Sequence, residues 1–346
     1  MKKETLIIDG NNTEELKKAS EILKSGGLVA FPTETVYGLG ANALNEEALK
    51  KIFEAKGRPQ DNPLIVHISE LEQLDDLVEE IPLKVFEIMK AFWPGPLTLI
   101  MKKKKEISNI ITAGLDTIAI RMPSHPVAKE LLSMAEVPVA APSANISGKP
   151  SPTDSEHVIE DLSGRVDAIV EGGKTGVGVE STVLDVSGDI PTILRPGGVT
   201  EEQLIRFYPN IEVDPYIEGR ENMKPKSPGQ KYKHYSPKAS MKIINGDIDL
   251  VVERILSLAK IYKNSGMKVG IMATKETKDK YVEELSIVVG ERSNPKTIAS
   301  NLFDTLRKFD KINVDMILAE GIEKKDIGRA IMNRMEKAAG FDIENL

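Results

Sequence analysis

Lys56-Gly57-Arg58-Pro59-Gln60-Asp61-Asn62-Pro63-Leu64 ends a helix, sets two cations about a glycine and stiffens the exit with prolines. Upstream, residues 45–55 read as that helix. Asn45 can cap it, Glu46 and Glu47 suit its positive end, and Ala48, Leu49, Ile52 and Phe53 form an apolar stripe. Gly57 fits the left-handed residue that stops many helices. Downstream, residues 64–68 form a short apolar run, so a strand is expected next. Two readings of the cations stand side by side. They offset the negative end of the helix dipole, which is enough for Lys56. Or they form a preorganised clamp for a triphosphate, which also accounts for Pro59, Asn62 and Pro63 restricting the backbone where Arg58 must point.

The alternation continues outward. Residues 13–25 read as a capped helix closed by Gly26-Gly27, and 28–31 as the strand after it. Apolar runs at 97–101, 117–121, 137–141, 168–170, 182–186 and 192–194 are further strands, with helical patterns at 82–92 and 127–134. Such interspersion gives a mixed α/β domain ending near Tyr208. From 214 to 238, Pro215, Pro225, Pro228 and Pro237 rule out helix, and Arg220, Lys224, Lys226, Lys231, Lys233 and Lys238 outnumber the acids, the composition of a linker. Beyond it, strands expected at 241–244, 268–272, 287–289 and 314–319 alternate with helices at 248–263, 275–284, 296–309 and from 328 onward. Strict alternation points to a small open parallel sheet. The expected organisation is a first domain over 1–210, a basic Pro-rich linker over 211–238 and a second domain over 239–346.

The chain's 346 residues give room for two cores, and 40% hydrophobic with 29% charged residues is ordinary for a globular protein. A net charge of -7 argues against non-specific coating of nucleic acid. With no cysteine there is no disulfide framework, thiolate nucleophile or Cys-based zinc site. Residues 1–12 hold only Leu6-Ile7-Ile8 as an apolar run, too short for a signal peptide, and no later stretch approaches a membrane span. A cytoplasmic location is expected.

Gly172-Gly173-Lys174-Thr175 falls short of a phosphate loop, because Ala168 occupies the first required glycine position; a flexible Gly-rich loop is expected there. The lysine run 102–105 follows a strand and reads as a solvated hairpin edge. Pro32-Thr33-Glu34-Thr35-Val36-Tyr37-Gly38-Leu39-Gly40 places Thr33 and Thr35 hydroxyls after a strand, where ligands gather in α/β sheets. Arg121 closes an apolar strand, and there it either forms a buried ion pair or grips a ligand carboxylate. Pro142-Ser143-Ala144-Asn145-Ile146-Ser147-Gly148, Glu180-Ser181-Thr182 and Arg195-Pro196-Gly197-Gly198 repeat the theme. Five polar or cationic segments at successive element ends point to one binding site. None of the four histidines has metal-ligand spacing; His67, inside an apolar run, reads as a hydrogen-bonded, semi-buried imidazole. No Ser–His–Asp arrangement can be assembled. The site reads as an electrostatic clamp without a protein nucleophile.

These segments together resemble the threonylcarbamoyl-AMP synthases of the YrdC-like family, in the long two-domain form. The carriers are residues 32–40, 56–59 and 142–145, Ser181-Thr182-Val183, Leu194-Arg195-Pro196-Gly197, Ser227-Pro228-Gly229-Gln230-Lys231-Tyr232-Lys233-His234-Tyr235-Ser236-Pro237, and Ala330-Ile331-Met332-Asn333-Arg334. Gln230 stands where the family often has methionine. The resemblance implies a twisted mixed sheet with a concave basic cavity, then a Rossmann-like domain. It implies a reaction joining L-threonine, bicarbonate and ATP into threonylcarbamoyl-AMP and pyrophosphate, for modification of adenosine in tRNA. By matching position, Thr35, His67, Arg121 and Ser181 would hold threonine. Lys56, Arg58, Asn62, Ser143, Ser151 and Arg195 would hold the nucleotide, with Thr117 and Ala141 lining its pocket and Lys56 and Arg58 serving the chemistry. Mg2+ would come with ATP, without an organic cofactor, and the product would pass to a tRNA-modifying threonylcarbamoyl transferase. No membrane and no stable direct nucleic-acid contact is expected. The linker would fold over the cavity as a lid, bringing His234 and Tyr235 to the phosphates. An RNA-binding module and a carbamoyl-phosphate-using transferase are the competing readings; the negative charge with 5% aromatics, and the lack of cysteine clusters, count against them in turn.

Overall fold

Asn45 accepts from the Ala48 amide at 3.1 Å and caps the helix Glu46–Lys56, which Gly57 closes at φ +60°. The opening stretch therefore folds as its residues dictate. The structure, a computed structural model, describes residues 4–218 and 235–346. It divides into two units, Met1–Ser147 with Ser151–Lys231, and Gly148–Pro150 with Tyr232–Leu346.

The first unit begins β1 (Leu6–Asp9), α1 (Thr13–Lys24), β2 (Val29–Phe31), β3 (Gly38–Asn42), α2 (Glu46–Lys56), β4 (Ile65–His67), α3 (Leu83–Phe92), β5 (Leu97–Lys102) and α4 (Asn109–Thr112). It continues β6 (Thr117–Arg121), α5 (Pro126–Ala135), β7 (Val139–Ala140), α6 (Ser155–Leu162), β8 (Ala168–Glu171), β9 (Thr182–Asp185), β10 (Thr192–Arg195), α7 (Glu201–Leu204) and β11 (Glu212–Val213). These strands form one mixed sheet in the order β1-β8-β2-β3-β7-β4-β6-β5-β9-β10-β11.

Alternation along each strand separates the two faces. On one, Leu39, Val66, Leu99, Ile120, Ile169 and Leu184 bury against α2, α3 and α6 through Leu49, Ile52, Ile88 and Val158. On the other, α1 and α5 cover only the β1 half, packing Leu16, Leu23 and Leu131 on Ile8, Val29, Phe31, Val139 and Val170. The remaining half of that face carries a separate small cluster, Ile65, Ile100, Ala119, Val183 and Leu194, to which no helix contributes a residue.

Residues 32–40 are part turn and part strand. β3 escaped the period-2 pattern because a Cβ at Gly40 would lie 2.8 Å from both Phe31 and Val139. The Gly172–Thr175 loop is held in place, contrary to the flexible loop expected. Tyr37 donates its hydroxyl to Gly173 O at 2.8 Å and receives the Gly172 amide at 3.2 Å, while the Thr175 amide reaches Thr153 O at 3.0 Å. The lysine run lies where β5 leaves the sheet, with Lys102 and Lys105 exposed. β5 itself is an interior strand between β6 and β9, and not an edge.

The second unit holds β12 (Ser240–Asn245), α8 (Ile248–Asn264), β13 (Val269–Thr274), β14 (Ser286–Gly290), α9 (Pro295–Ile312), β15 (Met316–Glu320), α10 (Ile327–Ala338) and β16 (Ile343–Asn345). Its sheet, β14-β13-β15-β12-β16, is parallel throughout. The helix expected at 275–284 is replaced by one 3-10 turn, Lys278–Tyr281. There the Thr274, Thr277 and Tyr281 hydroxyls all donate to the buried Glu320 carboxylate, which draws the segment in too tightly for a helix. Tyr235, at φ +63°, packs its ring 5.2 Å from Phe303, with the Arg334 guanidinium 5.7 Å away. His234 and residues 227–233 of the expected lid lie outside the described residues.

Candidate active site

One register row crosses the face that α1 and α5 leave uncovered. Val139 pairs with His67, His67 with Arg121, Arg121 with Thr98, Thr98 with Val183, and Val183 with Arg195. Residues paired laterally share a face, so His67, Thr98, Arg121 and Arg195 stand on one surface. Three strand spacings separate Arg121 from Arg195, roughly 14 Å of backbone, which is room for an amino acid beside a phosphate chain. A bulge between Ile193 and Arg195 lets Leu194 join the apolar floor while Arg195 still stands opposite Val183. Two residues back along the strands lie Ile65, Ala119 and Ile100, and Thr117 lies two further, paired with Lys102. The face thus runs from a polar row across an apolar floor to Thr117, about 13 Å from Arg121 along β6.

Hydrogen bonds fix the row. Arg121, only 4% exposed, gives Nε to Gly95 O at 3.2 Å and Nη1 to Thr35 Oγ1 at 2.8 Å, and its Nη2 lies 2.8 Å from Glu34 Oε1. Thr33 spends its proton on Val36 O at 2.6 Å, so the Thr35 hydroxyl donates to Thr33 and keeps a lone pair for Arg121. Arg195 donates Nε to Ser181 O and Nη2 to Ser181 Oγ, each at 3.1 Å, and Ser181 Oγ lies 2.7 Å from Thr98 Oγ1. Arg121 therefore takes the first of the alternatives its sequence left open, a buried ion pair with Glu34.

The flanking loops are zipped to this row. Leu39 and Ala144 amides reach Pro142 O and Tyr37 O, both at 2.8 Å, extending β3 along residues 142–144. The Val177 amide bonds Glu34 O at 2.8 Å. Ser151 donates to Glu180 at 2.6 Å and Ser143 to Asn145 Oδ1 at 2.6 Å. The Ala141 amide bonds Ile65 O at 2.8 Å beside the floor. Lys56, 2% exposed, turns its ammonium inward to Asn145 O at 2.6 Å and to Ser143 O, holding that turn from beneath. Arg58 donates to Asn62 O at 3.0 Å and Pro63 O at 3.2 Å just before β4 begins. Asn62 is buried, and its Nδ2 has no hydrogen-bond partner among the described residues.

Charge states follow from burial. Burial, with Arg58 nearby, drives the Lys56 ammonium well below the ordinary lysine range. Burial and then the Arg121 charge push His67 down to about 3, so its imidazole is neutral; its Nδ1 lies 3.3 Å from Ile65 O. Burial raises the Glu34 carboxyl, but Arg121 lowers it further, leaving it below its ordinary value and ionised.

The family described as "Telomere recombination", which groups Sua5, YciO and YrdC proteins, matches residues 21–197, more than half of the chain. The one described as "Threonylcarbamoyl-AMP synthase, C-terminal domain" matches residues 199–340. The chain belongs to the threonylcarbamoyl-AMP synthase family. The threonylcarbamoyl-AMP synthase of Bacillus subtilis is 51% identical over 330 residues, 95% of this chain and 94% of the relative. That of Pyrococcus abyssi is 48% identical over 342 residues, 98% and 99% of the two chains. The solved structure of P. abyssi Sua5 complexed with L-threonine aligns at TM-score 0.94 with 45% identity, covering 99% of both chains. As a member of this synthase family, the chain is an enzyme of the nucleotidyltransferase type that makes threonylcarbamoyl-AMP for tRNA modification. Three groups of this row and its flanking loops were not singled out by the sequence. Thr98 carried a signal, a lone hydroxyl between Leu97 and Leu99; Glu34 and Tyr37 stood inside a quoted motif without a role.

Proposed function

We propose that the half of this face beyond α1 and α5 holds threonine at its polar row and MgATP from Arg195 across the apolar floor toward Arg58. In this reading Thr35, His67, Arg121 and Ser181 seat threonine, with its carboxylate on Arg121. Arg58, Asn62, Ser143, Ser151 and Arg195 seat the nucleotide, and Thr117 and Ala141 flank the base and sugar. Lys56 serves by fixing the Ser143 turn, and Arg58 by its charge.

The chemistry needs no protein nucleophile. The threonine ammonium and bicarbonate give a carbamate, one water and one proton. A carbamate oxygen then attacks the α-phosphorus, and the bond to the bridging oxygen breaks, releasing pyrophosphate with the electron pair. Arginines fixed beforehand stabilise charge on the phosphoryl oxygens without reorganising, and holding the reactants in line supplies much of the remaining rate. Mg2+ arrives as part of the ATP substrate, and no organic cofactor is required. A neutral His67 with its pKa near 3 is a poor proton acceptor at neutral pH, so it positions substrate and takes no proton. The product is a mixed anhydride exposed to hydrolysis, which favours direct transfer in the cytoplasm to a threonylcarbamoyl transferase acting on tRNA. Among the described residues, no helix is long and apolar enough to cross a membrane.

The observation that carries this reading is the single row joining Arg121 to Arg195. The test is pyrophosphate release from ATP with threonine and bicarbonate supplied or omitted in turn. Release should need both. Equal release without threonine would overturn it.

A further inference from the structure

Glu34 has no part in the chemistry above, yet it stands against the group expected to bind the substrate carboxylate. Its Oε2 accepts the Ser124 amide at 3.1 Å and its backbone carbonyl accepts the Val177 amide at 2.8 Å, so the carboxylate is held from behind. Arg121 is anchored through Nε and Nη1. That leaves Oε1 and Nη2, 2.8 Å apart in an ion pair whose side chains are 13% and 4% exposed. Both atoms are buried and paired with each other, and among the described residues neither has a further partner. Oε1 thus keeps a second lone pair and Nη2 a second N–H for a third party, beside a row that already presents hydroxyls.

We propose that Glu34 receives the α-ammonium of the amino-acid substrate, so that Arg121 and Glu34 together read its zwitterion. An α-amino acid carries its carboxylate and its ammonium on the same carbon, a span comparable to the 2.8 Å gap between Nη2 and Oε1. Without substrate the two side chains neutralise each other; with it, each gains the opposite charge it was built to face. A carboxylate that remains ionised at neutral pH suits this recognition role and not that of a base. Glu34 is thus a specificity-determining residue, selecting amino acids over the corresponding hydroxy acids.

The proposal rests on the reading of this row as an amino-acid site, and calorimetry separates the two. The ligands are L-threonine and 2,3-dihydroxybutyrate, in which a hydroxyl replaces the amine. Glu34→Gln should lower threonine affinity about 10- to 100-fold, the loss of a charge-assisted bond, and leave the amine-free ligand bound no more weakly. Binding of a non-hydrolysable ATP analogue shows whether the variant is folded. Should Glu34→Gln fail that control, Glu34→Asp keeps the charge at shorter reach, and should weaken threonine alone. Equal losses for both ligands, or none, would overturn the role of Glu34. No threonine binding to the unsubstituted chain would overturn the substrate reading as well.

Discussion

Arg121 commits every nitrogen it has: Nε to Gly95, Nη1 to Thr35 and Nη2 toward Glu34. Its removal is therefore felt twice. Arg121→Ala should raise the threonine KM far more than the ATP KM, and it should also destabilise the fold by about 3–5 kcal/mol, because Glu34 is left as an uncompensated buried charge. Denaturant unfolding beside steady-state kinetics checks both. His67 offers a second test. Its folded value near 3 lies below its ordinary 6.5, so the unfolded chain binds the extra proton. Stability from a neutral His67 is whole above pH 6.5 and is lost as pH falls toward 3. Between pH 6.5 and about 5, the parent should lose on the order of 1–2 kcal/mol that His67→Gln does not lose. Matching losses in urea unfolding at the two pH values would refute the assignment. Arg121 also shows what residue-level reading reaches: its sequence context left ion pair and ligand grip even, and the partner that decides, Glu34, is 87 positions away in the chain.

At the scale of elements, two glycines behave oppositely. Gly57 sits at φ +60° with nothing within 4 Å of the position a Cβ would take. Gly57→Ala should therefore cost about 1–2 kcal/mol of backbone strain and leave turnover of the folded enzyme near normal. A Cβ at Gly197 would lie 2.3 Å from Thr182 N and 2.4 Å from Glu180 O and Ser181 C. Gly197→Ala must displace the backbone that carries Ser181, so activity should fall at least 10-fold even at temperatures where the variant is folded. Equal effects of the two substitutions would contradict the geometry. Most elements were legible because their apolar period matched their geometry: α2 with its Asn45 cap and Gly57 stop, and β6, whose residues 117–121 are the observed strand. β3 was hidden because packing against Phe31 and Val139 demands Gly40. The 275–284 segment has helical composition, but tertiary hydrogen bonds to Glu320 override it.

At the scale of the molecule, the motif ends could be seen to gather, but not how. The sheet order β7-β4-β6-β5-β9-β10 departs from chain order, so no spacing in the sequence reveals that His67, Arg121, Thr98 and Arg195 share one row. That no helix among the described residues contributes to the cluster on half of this sheet face is likewise a property of packing, visible only once α1 and α5 are seen to stop at the β1 half. The central claim is that this one face holds amino acid and nucleotide together. A crystal structure with L-threonine and a non-hydrolysable ATP analogue tests it most directly. The account predicts the threonine carboxylate within hydrogen-bond distance of Arg121 and the phosphates on Arg195 and Arg58. Either ligand seated away from the Arg121–Arg195 row would contradict it.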